Sequence, residues 1–358
     1  MNVIITLNII VILTSYFARF KNVKYMLEIS FLIIFFFTAF RYNFGTDYST
    51  YYEVFIAYNS LTLSEILDNS LGVEIGWVII NRFFNFFGFF GLIFAISAYF
   101  CYSYYSLIKK YVAVNYYWFA VLLYVFTFEI MMIQFSAIRQ ALAIAIFINS
   151  IKYLIEKKKP TKYLAMILFA SLIHTSALIM LPFVFFTLIK KHNYNITGYY
   201  IILLFLFLIF FGNTVFQYFP QLLAISTGAK YLNNLDAEIS GALTYSGIIF
   251  WTLLCLTTFY YSLKQKNNIK ILFYFVLFYY IVYTLINLIW LVNRIGFYFA
   301  PITIVVYPLI LQNEKKQWLK ILISILFILS IFNQFSKYQI LEWVISGYTN
   351  YQTIFSVW

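Results

Sequence analysis

Apolar runs recur along this chain almost from end to end, and that recurrence limits it to one solvent. Residues 2 to 18, 24 to 40, 89 to 108, 116 to 131, 134 to 151, 198 to 216, 247 to 263, 271 to 290, 294 to 311 and 319 to 336 each approach the length needed to cross about 30 Å of hydrocarbon. Only 10% of the side chains are charged, against roughly a quarter in soluble domains. The expectation is an all-α, polytopic integral membrane protein with about ten full spans. It forms a single transmembrane domain over residues 1–358, whose longer outer loops are 41–73 and 217–246. Residues 2 to 18 lack a basic leader and a small-residue cleavage site, so they read as a retained first span. Cys101 and Cys255 lie inside apolar runs and read as small buried hydrophobes.

Orientation follows from the basic residues between runs, which are retained on the cytoplasmic side. With both termini outside, Arg19, Lys21, Lys24, Lys109, Lys110, Lys152, Lys157, Lys158, Lys159, Lys162, Lys190, Lys191, Lys264, Lys266, Lys270, Lys315, Lys316 and Lys320 fall inside, and Arg41, Arg82, Arg139, Lys230, Arg294 and Lys337 outside. The net charge of +12 is therefore mostly lysine facing an anionic leaflet, and nucleic acid is not an expected partner. Because Lys162 and Lys190 share a side, residues 162 to 189 should enter and return as a hairpin of two short helices, with Leu172 to Ser176 at a tip deep in the membrane. Residues 74 to 87 should form a short helix on or dipping into the outer face.

Four of the five arginines are on the outer side, whereas seventeen of nineteen lysines are inside. Guanidinium binds phosphate and carboxylate through a planar fork, so outer arginines suit an anionic, diphosphate-bearing substrate. Arg139 sits one to two turns inside a span, where an arginine costs about 2.5 to 3.5 kcal/mol and should face the bundle interior or a cavity, with Glu129 a pairing alternative. Arg294 has a similar place at the outer start of its span. Arg82 shares a short helix with Glu74, Trp77 and Asn81 and reads equally as a surface anchor or a ligand contact. His174, at the hairpin tip, is a proton-transfer candidate; His192, after two cytoplasmic lysines, reads as solvated.

The stretch Phe40 to Phe55 gathers Arg41, Gly45, Asp47, Glu53 and several tyrosines where the second span ends. Gly45 permits a positive φ, and Thr46 or Asp47 can cap a helix starting near Tyr48, with Asp47, Tyr51 and Phe55 on one face. There is no glycine-rich phosphate loop, zinc spacing, Gly-x-Ser-x-Gly elbow, fixed repeat or Asp-x-Asp pair, so neither metal nor cofactor is expected.

Taken in order, Arg41-Tyr-Asn-Phe-Gly45-Thr-Asp47-Tyr-Ser-Thr-Tyr51, Glu74-Ile-Gly76-Trp77, Arg139-Gln-Ala-Leu-Ala143, His174-Thr-Ser-Ala177-Leu with Pro182, and Asn293-Arg294-Ile resemble the EpsG-like family of polysaccharide polymerases, related in role to Wzy polymerases. The family often has proline where Ile75 follows Glu74, and the stretch Tyr348 to Trp358 looks like its short aromatic tail. The resemblance implies a glycosyltransferase of the bacterial cytoplasmic membrane, acting on its outer face in O-antigen, capsule or exopolysaccharide synthesis. Its donor and acceptor would be undecaprenyl-diphosphate-linked glycans, with a flippase and a chain-length regulator of the same pathway as potential partners. On that reading Arg139 and Arg294 take the diphosphates, and Arg41, Arg82, Glu74 and Tyr51 are further diphosphate or sugar contacts. His174 is the leading base and Asp47 the second. Two rivals share the cavity arginines: a lipid-linked oligosaccharide flippase, which should carry cations along its whole path, and a membrane O-acyltransferase, which should show cytoplasmic motifs.

Overall fold

The computed structural model describes residues 2–20, 23–62, 65, 74–156, 159–187, 194–227, 245–286, 293–339, 347–348 and 351–356. Lys21, Lys157, Lys158, Lys190, Lys191, His192 and Lys230 lie outside these described residues, as do most of the expected outer loop 217–246 and the later part of 41–73. Nearly everything described is helical. Contacts cluster in two compact units, residues 1–187 with 307–358, and residues 188–306.

The first unit holds α1 (Asn2–Phe17), α2 (Met26–Ala39), α3 (Tyr48–Ser60), α4 (Ile75–Phe83), α5 (Gly88–Tyr111), α6 (Tyr117–Phe126), α7 (Ile138–Ile155) and α8 (Pro160–Ser171), with a 3-10 helix over Thr175–Thr187. The second holds α9 (Tyr194–Thr227), α10 (Tyr245–Leu263), α11 (Asn267–Ile286) and the start of α12 (Asn293–Asn313). The rest of α12 and α13 (Gln317–Gln339) belong to the first unit. Eight of the ten apolar runs lie along a single helix over their described residues; 116–131 and 134–151 are each interrupted. Against the ten crossings expected, length and composition support five among the described residues: Ile75–Tyr111, Ile138–Ile155, Tyr194–Phe211, Ser246–Leu263 and Arg294–Asn313. A bent pair, if one span, makes a sixth. α2, at 14 residues, reaches only about 21 Å.

In the first unit, α7 is the buried centre, packed on α5, α8 and the 3-10 helix. Ala141, Ala143 and Ala145 are fully buried there, and their small side chains let neighbouring helices approach closely. The second unit packs α9, α10 and α11 together through aromatic contacts. Trp251 lies 4.0 Å from Tyr283, and the Tyr274 hydroxyl donates to the Tyr194 carbonyl.

The bent pair departs most from the sequence reading. Residues 116–131 do not form one span: α6 stops at Phe126 and the next segment, Phe128–Ser136, turns away by 74° as two short helical turns. No proline or glycine lies in it to explain the break. Carbonyls freed by such a break must find donors, since lipid supplies none. Arg41 provides one, its Nη1 donating to Thr38 O at 2.7 Å and its Nη2 to Gln134 O at 3.2 Å, with the guanidinium 5.1 Å from the Phe135 ring centre. The Tyr348 hydroxyl provides another, donating to Met132 O at 3.1 Å.

The same place explains the polar stretch after α2. Strand β1 (Arg41–Tyr42) pairs antiparallel with β2 (Gln352–Thr353), and Gly45 N donates to Gly347 O at 3.0 Å. Gly45 has φ +115°, and a Cβ there would lie 2.3 Å from Phe135 O, so glycine is needed for conformation and for space. Tyr351 stacks on Phe37 at 4.2 Å and donates to its carbonyl at 2.8 Å. Loop, break and tail thus interlock.

Candidate functional site

The short helix α4 begins with Glu74 as its N-cap residue, and three segments converge on that carboxylate. Arg139 Nη1 lies 2.9 Å from Oε2. On the other oxygen, Oε1, the Thr175 N–H donates at 3.1 Å and its hydroxyl at 3.3 Å, and His174 Nδ1 lies 3.3 Å away. Burial pushes the Glu74 carboxyl up, but the Thr175 amide, its own N–H, Arg139 and His174 outweigh this and hold it below the ordinary carboxylate range.

Each partner is placed by its backbone. α7 starts at Ile138 because the break ends there, which puts Arg139 in the first helical turn and not one to two turns inside a span. A cation is unfavourable at a helix N-terminus, so the carboxylate offsets a local cost. Its partner is Glu74, not Glu129. His174 and Thr175 come from the turn between α8 and the 3-10 helix. These two are short, about 18 Å and about 26 Å, and the Tyr163 hydroxyl donating to Met180 O at 2.6 Å holds them side by side. The tip docks on α4, where Gly76 N donates to Leu172 O at 2.9 Å. A Cβ at Gly76 would meet that oxygen at 2.5 Å.

Exposure separates the three side chains. Arg139 is 33% exposed, while Glu74 and His174 are at 14% and 16%. Glu74 is therefore the shared support, and Arg139 is the most exposed of the three. Tyr51 of α3 lies beside it: burial raises the Tyr51 hydroxyl pKa and the Arg139 guanidinium draws it back. Tyr51 also packs edge-on against the buried Trp77 at 5.8 Å.

The other expected site residues are elsewhere. Arg41 is 2% exposed and turned inward, its guanidinium engaged by backbone carbonyls, so the expectation that it touches phosphate or sugar is replaced by a structural role. Arg82 donates to Leu61 O at 2.8 Å, a basic group on the last carbonyls of α3. Asp47 is exposed and occupies the N-cap position of α3 without a side-chain capping bond. The buried face of α3 is Tyr48, Phe55 and Tyr58, which leaves Asp47 off it. Arg294 is exposed in the first turn of α12, in the second unit. Thr175 and Tyr348 were not foreseen as contacts; adjacency to His174 and the aromatic tail were their only signals. Cys101 and Cys255 are free and buried. Among the described residues, no three or more of His, Cys, Asp and Glu gather as a metal site would require.

A family model described as the EpsG family matches residues 24–353. No curated protein and no solved structure matches the chain.

Proposed function

This chain belongs to the EpsG family of polysaccharide polymerases, and from that premise we propose that it joins polyprenyl-diphosphate-linked repeat units on the outer face of the bacterial cytoplasmic membrane. The observation that carries the reading is the convergence of Arg139 and His174 on Glu74, which sets a phosphate-binding cation and a proton acceptor side by side. His174 Nδ1 lies 3.3 Å from Glu74 Oε1, and the proposal puts the imidazole proton on that nitrogen, which leaves Nε2 to accept one. The acceptor sugar hydroxyl bonds to the anomeric carbon of the growing chain and gives its proton to Nε2. The bond from that carbon to the diphosphate breaks, and the electron pair leaves on the diphosphate oxygen, where Arg139 meets the developing charge.

Glu74 positions both groups and is not itself a sugar ligand, because Arg139, Thr175 and His174 already occupy its two oxygens. Tyr51 lines the Arg139 side. Arg294 is assigned the second diphosphate on its chemistry and its exposed place in the first turn of a long buried helix. The undecaprenyl carrier and the flippase and chain-length regulator of the pathway belong to the same proposal.

In vitro polymerisation of purified lipid-linked repeat units tests it. Arg139→Ala, inserted normally, should lose at least about a hundredfold in rate, in line with the loss of one preorganised charge-stabilising group. Full activity in that variant would remove Arg139 from the phosphate role. An unchanged pH–rate profile in His174→Ala would remove the base. In cells, loss of the protein should leave single repeat units displayed, whereas a flippase null would display none.

A further inference from the structure

Far from Glu74, the lysine-bearing end of α5 carries a polar stripe that the proposed reaction does not use. Tyr99, Ser103, Ser106 and Lys110 recur at helical spacing on α5, and Asn149, Lys152 and Glu156 do so along the facing side of α7. Asn149 donates to the Tyr99 hydroxyl at 3.2 Å and to Ser103 Oγ at 2.7 Å. Lower down, Glu156 takes Lys110 at 2.6 Å and the Tyr111 hydroxyl at 2.7 Å. Between these layers is a pocket of about 200 Å³ lined by Tyr102, Ser106, Lys110, Tyr111, Asn149 and Lys152. Lys110 is neutralised by Glu156. Lys152 rests 5.3 Å from the Tyr153 ring centre and has no carboxylate within ion-pair distance among the described residues. The pocket therefore has one uncompensated positive charge.

Tyr102 also borders a second space, a mainly apolar open groove of about 400 Å³ between α2 and α5, walled by Phe31, Leu32, Phe35, Ala98 and Cys101 and bordered by Tyr105 and by Glu28, whose carboxylate is paired with Lys109 at 2.7 Å. A single-charge polar pocket next to an apolar groove has the two halves of a lipid. The geometry points to a binding site for one anionic glycerophospholipid, its monoanionic phosphodiester beside Lys152 and one acyl chain in the α2–α5 groove. Charge complementarity selects this occupant: a zwitterionic headgroup would bring an ammonium against Lys152.

Native mass spectrometry of the detergent-solubilised full chain, titrated with dioleoyl phosphatidylglycerol or dioleoyl phosphatidylethanolamine, tests this. The anionic lipid should bind about fivefold to tenfold more tightly at one site, as one surface lysine contributes about 1 kcal/mol. Lys152→Gln should abolish that preference, Lys152→Arg should keep it, and Lys162→Gln, an exposed lysine on α8, should leave it unchanged. Ala98→Trp, which fills the groove, should weaken both lipids. Equal binding of the two lipids by the wild type would overturn the inference. So would preference surviving in Lys152→Gln, an equal loss in Lys162→Gln, or a protein dimer that excludes lipid from the groove.

Discussion

Replacing Glu74 by glutamine keeps the shape of the side chain and removes its charge, which isolates what the carboxylate does. The wild-type group accepts at both oxygens, from Arg139 at 2.9 Å on one and from Thr175 N and Oγ1 at 3.1 and 3.3 Å on the other, with His174 Nδ1 at 3.3 Å. Glutamine offers one acceptor oxygen, so its NH2 must face either Arg139 or Thr175, donor against donor. The cheaper arrangement turns the oxygen to Thr175 and gives up Arg139. A charge-assisted bond of this kind is worth about 1.5 to 3 kcal/mol, and exposure of Arg139 places it near the lower end. Replacing a charged acceptor with a neutral one at Thr175 costs about 1 kcal/mol more. Only the Thr175 part acts on the hairpin tip, because Arg139 belongs to α7, and about 1 kcal/mol corresponds to a roughly fivefold shift in docking of that tip. Hydrogen exchange in detergent reads this directly: the Thr175 and Gly76 amides should exchange about fivefold faster while those of α7 stay protected. On an Arg139→Ala background the same substitution should act on the tip to a similar extent, since the bond it weakens there is the one to Thr175. Unchanged protection of Thr175 and Gly76 would refute the view of Glu74 as the support, whatever happened to activity.

Three further outcomes follow from the same structure. Gly76→Ala should favour helix by up to about 1 kcal/mol, yet the new Cβ meets Leu172 O at 2.5 Å; thermal stability should fall and polymer length with it, and a rise in the unfolding midpoint would show that the tip is not docked there. Arg41→Met strips donors from Thr38 O and Gln134 O, at about 1 to 3 kcal/mol for each stranded carbonyl, so the unfolding midpoint should drop well below wild type; an inactive variant of full stability would return Arg41 to substrate contact. Acid should act through Glu74. Its carboxyl is held below its ordinary value near 4.5, so the stability it contributes is complete above that pH and is lost as pH falls through the lowered value. The unfolding midpoints of wild type and Glu74→Gln should converge only below about pH 4.5.

The apolar helices were legible because apolar length is a local property, although only five among the described residues, or six with the bent pair, have the length and composition of a crossing. The break at 127–137 was not, because nothing in Phe-Thr-Phe-Glu-Ile-Met-Met-Ile-Gln interrupts an apolar helix; its carbonyls are satisfied by Arg41 and Tyr348, both distant in sequence. Missing that break also misplaced Arg139 and hid the carbonyl of Gln134 that Arg41 serves. Separating arginine from lysine picked out a distinct population but merged two uses of it. Arg41 and Arg82 serve backbone carbonyls, while Arg139 meets a carboxylate. Glu74, His174 and Arg139 were each visible as charges out of place. That one carboxylate joins them depends on a hairpin tip folding back over α4, which no spacing within a single segment encodes.

The clamp around the break also imposes an order on biogenesis. Phe37, Arg41 and Gly45 are synthesised early and the broken segment next, but Gly347, Tyr348 and Tyr351 emerge only after α13. Until then Met132 O lacks its tyrosine, and the end of α2 is without its aromatic cover. A chain stopped just short of Gly347 would contain α1 to α13 and still leave the segment leading into Arg139 without the hydrogen bond and aromatic cover that the tail supplies.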